Sequence, residues 1–175
     1  MRILFVLMLA FACGGANAQW IDPDTKKPMP DLEWRKTVEG LGGMLIVTRD
    51  YERMMKEWTD GQTEAPSILP ASGAKRGDSL TAVVFFSGCA DPGQNCELFV
   101  DFTVLKPDGS TYGKIPNIAA FNAVVPKANV VMITKATMRL KIESNDPLGE
   151  YTILAKVRQP KKNRSMELKQ RLFVE

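Results

Sequence analysis

The sequence predicts a mainly β protein: an antiparallel β-sandwich carrying one short N-terminal helix. Three observations predict it. From position 79 onward, short apolar–polar alternations recur between Gly, Pro, Asn and Asp turn signals, the pattern of an all-β sandwich. No helical stretch separates these later strands, so successive strands are expected to pair antiparallel rather than through crossovers. Upstream of them, Tyr51, Met54, Met55 and Trp58 fall at i, i+3, i+4 and i+7, which is one apolar helical stripe.

The chain opens MRILFVLMLAFACGGANAQW. Arg2, the apolar run from Ile3 to Ala12 and the small-residue exit Ala16-Asn17-Ala18 make residues 1–18 a secretory signal peptide, with the mature chain starting at Gln19. The run is shorter than the roughly 20 residues that a membrane span needs. No later segment approaches that length, so no transmembrane segment is expected. Cys13, behind the run, opens a second reading: a lipid anchor of the bacterial lipoprotein kind, although Ala10-Phe11-Ala12 lacks the usual leading Leu. Export places the chain in an oxidising compartment, here read as the bacterial periplasm.

Residues 19–60 form an N-terminal arm, a strand and a helix. "QWIDPDTKKPMPDLEW" is rich in Pro and charge and reads as irregular. "GGMLIVT" reads as a buried strand. In "RDYERMMKEWTDG", Asp50 stands as N-cap, Glu52 suits the first turn and Gly61 closes the helix. Its stripe is expected to pack on the core; the alternative is a partner groove, since Met side chains adapt. Residues 61–78 are a connecting loop without apolar period, and residues 79–175 form the sandwich. "SLTAVVFF" leads into a loop with two cysteines. "ELFVDFTVL" leaves it with Leu98, Val100, Phe102 and Val104 on one face, and "KPDG" marks a tight turn. "ATMRLKIES" points Ala136, Met138, Leu140 and Ile142 inward and Arg139, Lys141 and Glu143 to water; a one-residue slip would bury three charges, so its register is well specified. "NDPLG" turns the chain into "EYTILAKV", with Tyr151, Ile153, Ala155 and Val157 inside. "MELKQRLFV" closes it with Met166, Leu168, Leu172 and Val174. Gln170 falls on that inward face, which predicts a bulge or an edge position. The final strand is expected to be an edge, guarded by Lys169 and Arg171.

The chemistry is bounded by what the chain lacks. Among 175 residues there is no histidine, which closes Ser-His-Asp and Cys-His hydrolysis and most zinc sites. Without its leader the chain holds two cysteines, Cys89 and Cys96, in "SGCADPGQNCE". Two thiols cannot fill a structural zinc site, and six intervening residues do not make a thioredoxin-like redox pair. A disulfide remains, with Asp91-Pro92-Gly93 supplying the turn. Ser72-Gly73-Ala74-Lys75 spells S-x-x-K, but in a Pro- and Gly-rich stretch rather than at a helix start. Neither a dinucleotide fingerprint nor a P-loop occurs, and Asp22 and Asp24 lack the other ligands of a calcium loop. No metal and no cofactor is expected. A net charge of +3 is too small to imply nucleic acid. The basic cluster Arg158, Lys161, Lys162 and Arg164, with Lys169 and Arg171 nearby, reads as a solvated loop between two strands, or else as a contact for an anionic partner or lipid headgroup. Asn163-Arg164-Ser165 spells a glycosylation sequon.

"NDPLGEYTILAKV" followed by the terminal "RLFVE" resembles the last strands of macroglobulin-type and other immunoglobulin-like modules. Tyr151 sits where a tyrosine corner stands in such folds. The combination of "GGMLIVT", "FFSGC", "VDFTVLKPDGSTY" and "DPLGEY" also resembles a group of uncharacterised exported bacterial proteins. The resemblance implies an immunoglobulin-like β-sandwich and an exported address, and it lends no catalytic residue. The inter-sheet disulfide of antibody domains is not matched, because Cys89 and Cys96 lie close in sequence.

The expected function is therefore a non-enzymatic periplasmic binding or assembly module whose partner is another envelope protein. Its candidate binding residues are Asp91 and Gln94 in the cysteine ring, Asp108 and Tyr112 in "KPDGSTYGKIPN", and Asp146 in "NDPLG", with the three loops taken to share one end of the sandwich; an exposed edge strand is the other available mode. The alternatives are a lipid-tethered structural envelope protein and an enzyme using Asp91, Asp101 or Asp146. Asp101 interrupts the face that carries Phe99 and Leu105; that face is expected to meet water, or Asp101 to accept hydrogen bonds from a neighbouring loop.

Overall fold

The computed structural model describes residues 20–22, 25–59, 68, 70–127 and 130–175. The leader, Cys13 and the expected mature start at Gln19 lie outside the described residues, as do Gly61, the expected helix stop, and the rest of 61–67 and 69 in the connection. Among the described residues no helix is long and apolar enough to cross a membrane.

Among the described residues the chain is mainly β, with two sheets, one α-helix and a single 3-10 turn at Pro160–Lys162. β1 (Arg35–Val38), β2 (Leu41–Thr48), β4 (Ser79–Ser87) and β7 (Met132–Lys141) form a four-stranded sheet in the order β1-β2-β4-β7. β3 (Gly73–Ala74), β5 (Asn95–Leu105), β6 (Thr111–Val124), β8 (Gly149–Gln159) and β9 (Arg164–Val174) form a five-stranded sheet in the order β3-β9-β8-β5-β6. The helix α1 spans Tyr51–Thr59. All pairings are antiparallel except that of β3 with β9, which is parallel. This corrects the all-antiparallel expectation: the connection that leads into β4 first lays two residues beside the end of β9.

The alternation read from the sequence sets the inner faces. Leu98, Val100, Phe102 and Val104 of β5, Ala136, Met138 and Leu140 of β7 with Ile142 just beyond it, and Tyr151, Ile153, Ala155 and Val157 of β8 all belong to one buried core shared by both sheets. Each large apolar side chain buried there contributes about 1.5–3 kcal/mol relative to leaving it exposed. β2 can approach β9 because position 43 is glycine: a Cβ on Gly43 would stand 2.5 Å from the Met166 Sδ and 3.3 Å from Leu168.

β4 is buried almost throughout, which its sequence run VVFF reflects better than strict alternation does. Leu80, Ala82, Val84 and Phe86 face the shared core. Val83 and Phe85 point the other way, into a second cluster with Ile46 and Met54. That cluster is the seat of the helix stripe: Tyr51, Met55 and Trp58 pack against it, and the Trp58 ring meets Phe85 edge-on at 5.3 Å. The stripe therefore packs on the protein, as expected, but on the outer face of the four-stranded sheet.

Two expectations about β9 are corrected. Gln170 causes no bulge: it pairs in register with Ile153. Its amide instead spans the two sheets, accepting from the Val47 N–H at 3.1 Å and donating to the Ala71 carbonyl at 3.2 Å, so its polar atoms are satisfied inside. Nor is β9 a free edge. The N–H groups of Lys169, Phe173 and Glu175 donate to the carbonyls of Glu33, Ser72 and Ala74. Residues 33 and 34 serve both sheets, since the Trp34 carbonyl accepts from the Leu45 N–H.

The stretch "KPDGSTYGKIPN" is not one loop. Its turn ends at Ser110, and Thr111 begins β6, the outermost strand of the five-stranded sheet. β6 is mostly exposed, its register with β5 shifts at three places, and Asn117 has φ 54°. Pro116 is tolerated there because an edge strand has no outer partner for its missing N–H.

Candidate functional site

Following the strands places the predicted loops at opposite ends. β4 enters the Cys89–Cys96 loop at one end, β5 runs away from it, and the turns at 106–110 and 142–148 lie at the other. The expectation of one loop cluster is corrected accordingly. Asp91 and Gln94 stand together at the ring end. Asp108, Tyr112 and Asp146 stand at the far end.

At the ring end the disulfide forms between Cys89 and Cys96, with Cα atoms 5.6 Å apart and both residues fully buried. Because β4 and β5 belong to different sheets, the bridge clips a crossing between sheets rather than a hairpin. The ring is braced from outside as well. Gly93 donates to the Val125 carbonyl at 2.9 Å, and Val125 donates to the Gln94 carbonyl at 3.0 Å. Asp91, Pro92, Gly93, Gln94 and Asn95 are exposed.

Beneath the ring lie two buried polar side chains that the sequence did not single out for this role. Gln159 and Arg164 are cross-strand partners on β8 and β9, 2% and 7% exposed. The Arg164 guanidinium donates to the carbonyls of Glu39 (2.6 Å) and Cys89 (3.1 Å). The Gln159 amide donates to the same Cys89 carbonyl at 2.8 Å. One buried cation thus ties the β1–β2 turn, the disulfide ring and the start of β9 together. Burial pulls its pKa below the ordinary arginine value, with the nearby Glu39 carboxylate acting the other way. A faint signal was present in the sequence: Arg164 falls on the inward face of β9, two residues before Met166.

At the far end the candidates are used internally. Asp146 is 8% exposed. Its carboxylate accepts from the Glu143 N–H at 2.6 Å and from the Tyr112 hydroxyl at 2.7 Å, while its carbonyl accepts from the Arg76 guanidinium. Asp108 accepts from the Ser110 N–H and hydroxyl, which hold its carboxyl below the usual range. The Tyr151 hydroxyl reaches back to the Pro147 carbonyl at 3.0 Å, the bond of a tyrosine corner.

Burial pushes the phenols of Tyr51, Tyr112 and Tyr151 up, and Asp146 adds to the shift at Tyr112 and Tyr151. These are all three tyrosines of the chain. A raised pKa means that the folded state keeps a proton the unfolded chain releases near pH 10. The resulting stabilisation is intact below that pH and is lost as pH rises beyond it. Phenolate absorbance of the native protein is therefore expected to develop at higher pH than that of the urea-unfolded chain, with urea stability falling over the same range. Coincident titration curves would refute this.

Asp101 lies on the outer face of the five-stranded sheet. Arg158 grips it through two bonds of 3.1 and 3.0 Å, and the Asn117 N–H donates to it as well. The Arg158 guanidinium holds the Asp101 carboxyl below its ordinary range, helped by Asn117. The expected loop donor is corrected: Asp101 is held by strand residues, Arg158 of β8 and Asn117 of β6. Three more cations of the basic cluster form ion pairs: Lys161 with Glu97, Lys169 with Glu33, and Arg171 with Glu33 and Glu150. Among the described residues no group of three or more His, Cys, Asp or Glu could hold a metal ion.

No known family model matches the chain and no curated protein matches it. Solved structures overlap it at low identity. A family 123 glycoside hydrolase from Clostridium perfringens shares 12% identity over 76% of this chain and 27% of its own, with a TM-score of 0.43. A Niemann-Pick type C2 protein from the Japanese carpenter ant shares 9% over 75% of this chain and 89% of its own, at 0.38. An immunoglobulin-like protein from Pseudomonas aeruginosa shares 14% over 65% of this chain and 86% of its own, at 0.34. This chain thus spans about a quarter of the length of the hydrolase. At these scores the overlaps carry no argument about chemistry.

Proposed function

We propose that the protein is a non-enzymatic binding or assembly module of the bacterial periplasm, an immunoglobulin-like sandwich that presents its disulfide-ring end to another envelope protein. The observation that carries this reading is the Arg164 tie. Its bonds to the Glu39 and Cys89 carbonyls, with the disulfide and the Val125 pair, brace two loops into one surface before any partner arrives. Ordering a loop on binding costs about 0.5–1.5 kcal/mol per immobilised flexible side chain, so a surface ordered in advance binds with less loss. Asp91 and Gln94 are exposed on it, whereas Tyr112 and Asp146 are engaged with each other. The carboxylates considered for catalysis support the same reading by their dispersal: Asp91 is on the ring, Asp101 on a sheet face gripped by Arg158, and Asp146 at the opposite end. A disulfide suits an oxidising compartment.

The test is affinity capture after crosslinking in native envelope. Wild type and Asp108→Arg are expected to retain the same partner, and the double variant Asp91→Arg/Gln94→Arg to lose it. Arg164→Met is expected to speed hydrogen exchange of the ring amides and weaken capture. A partner retained by the ring variant would overturn the placement, and turnover of a small molecule by the purified chain would overturn the class.

A further inference from the structure

A cleft of about 400 Å³ lies between β2 and β9, beside residues 33 and 34 and Pro70. Its apolar part is formed by Trp34, Ile46 and Pro70, and its rim by Glu33, Lys169 and Arg171. Its size is within the range of small-molecule sites, which pair an apolar lining with a few convergent polar groups.

The rim is asymmetric in charge. One carboxylate, Glu33, is shared between two cations: Lys169 Nζ at 3.1 Å and Arg171 Nε at 3.5 Å. Hydrogen bonding from Lys169 holds the Glu33 carboxyl below its ordinary range. The Glu33 side chain is 57% exposed, so it can swing to solvent without opening the fold. Lys169 is better fixed, with its side chain 31% exposed and its backbone bonded to the Glu33 carbonyl. Gln170, between the two cations in sequence, closes the wall with an amide already committed to Val47 and Ala71. Glu33 therefore occupies the place that a ligand's own carboxylate would take, above an indole and an isoleucine that would hold an apolar body.

We propose that this cleft binds a small amphipathic carboxylate, its apolar portion against Trp34, Ile46 and Pro70 and its carboxylate on Lys169 and Arg171 in place of Glu33. The site goes beyond the ring-end reading and does not depend on it.

The experiment titrates the full mature chain with octanoate and with octanamide, its neutral counterpart, following amide shifts of Ile46, Lys169 and Gln170 by nuclear magnetic resonance. Octanoate is expected to bind and octanamide to bind more weakly. Glu33→Gln removes the internal competitor and should tighten octanoate binding by about two- to fivefold, while Lys169→Met and Arg171→Met should each weaken it by about as much, the range of exposed ion pairs. These three substitutions are at partly exposed side chains, so they test the site without unfolding the chain. The ring variant Asp91→Arg/Gln94→Arg should leave octanoate binding unchanged, which separates failure here from failure of the ring-end reading. Equal binding of octanoate and octanamide, unchanged or weakened binding in Glu33→Gln, or shifts confined to other residues would overturn the proposal.

Discussion

Phe86→Ala is expected to destabilise the protein by about 3–5 kcal/mol, the cost of deleting a fully buried aromatic ring. Phe86 is fully buried. It leaves β4 toward the core shared by both sheets and meets Phe121 of β6 edge-on, with ring centroids 4.9 Å apart. The substitution therefore removes the contact of a central strand with the outermost strand of the other sheet, and β6 has few other buried side chains to hold it. Urea unfolding monitored by circular dichroism gives the result: a large fall in midpoint with an unchanged slope indicates lost stability in a still-folded state. A loss below about 1 kcal/mol would mean that the site collapses around the missing ring.

Replacing both cysteines, as Cys89→Ala/Cys96→Ala, is expected to cost about 2–3 kcal/mol, the loop-entropy contribution of so short a ring. The fold should survive. The Cys89 carbonyl keeps Gln159 and Arg164 as donors, and the Gly93–Val125–Gln94 bonds do not involve sulfur. The same loss should appear in wild type when urea unfolding is repeated with a strong thiol reductant, and reductant should leave the double variant unchanged. Equal stability of wild type with and without reductant would show that the bridge does not constrain the unfolded chain.

The residues most legible in sequence were those whose role is written in local spacing. Tyr51, Met54, Met55 and Trp58 announced a helix face, and they do pack together. Tyr151, after a turn at a strand start, announced its bond to Pro147. Cys89 and Cys96 announced a bridge by elimination of other uses. β6 was illegible for a physical reason: an exposed edge strand containing Gly113, Pro116 and Asn117 has neither a regular apolar face nor strand-like composition, and β5 imposes its pairing despite three register shifts. Gln170 is not legible in sequence because a polar residue on an inward face looks like a defect until a partner from another element is known, here the Val47 N–H more than a hundred positions away in sequence. In sequence Arg164 groups with a solvated basic loop for the same reason.

By itself the sequence determined the inward faces of β5, β7 and β8, the helix stripe, the disulfide and the lack of histidine, because each depends on residue type and short-range period. Only the tertiary structure decided which sheet each strand joins, that consecutive β4 and β5 lie in different sheets, that the predicted loops separate to opposite ends, and that Tyr112, Asp146 and Arg164 serve the fold's interior. Period two tells a strand which side to bury and says nothing about its neighbour. The neighbour follows from packing and hydrogen bonding summed over segments far apart in the chain.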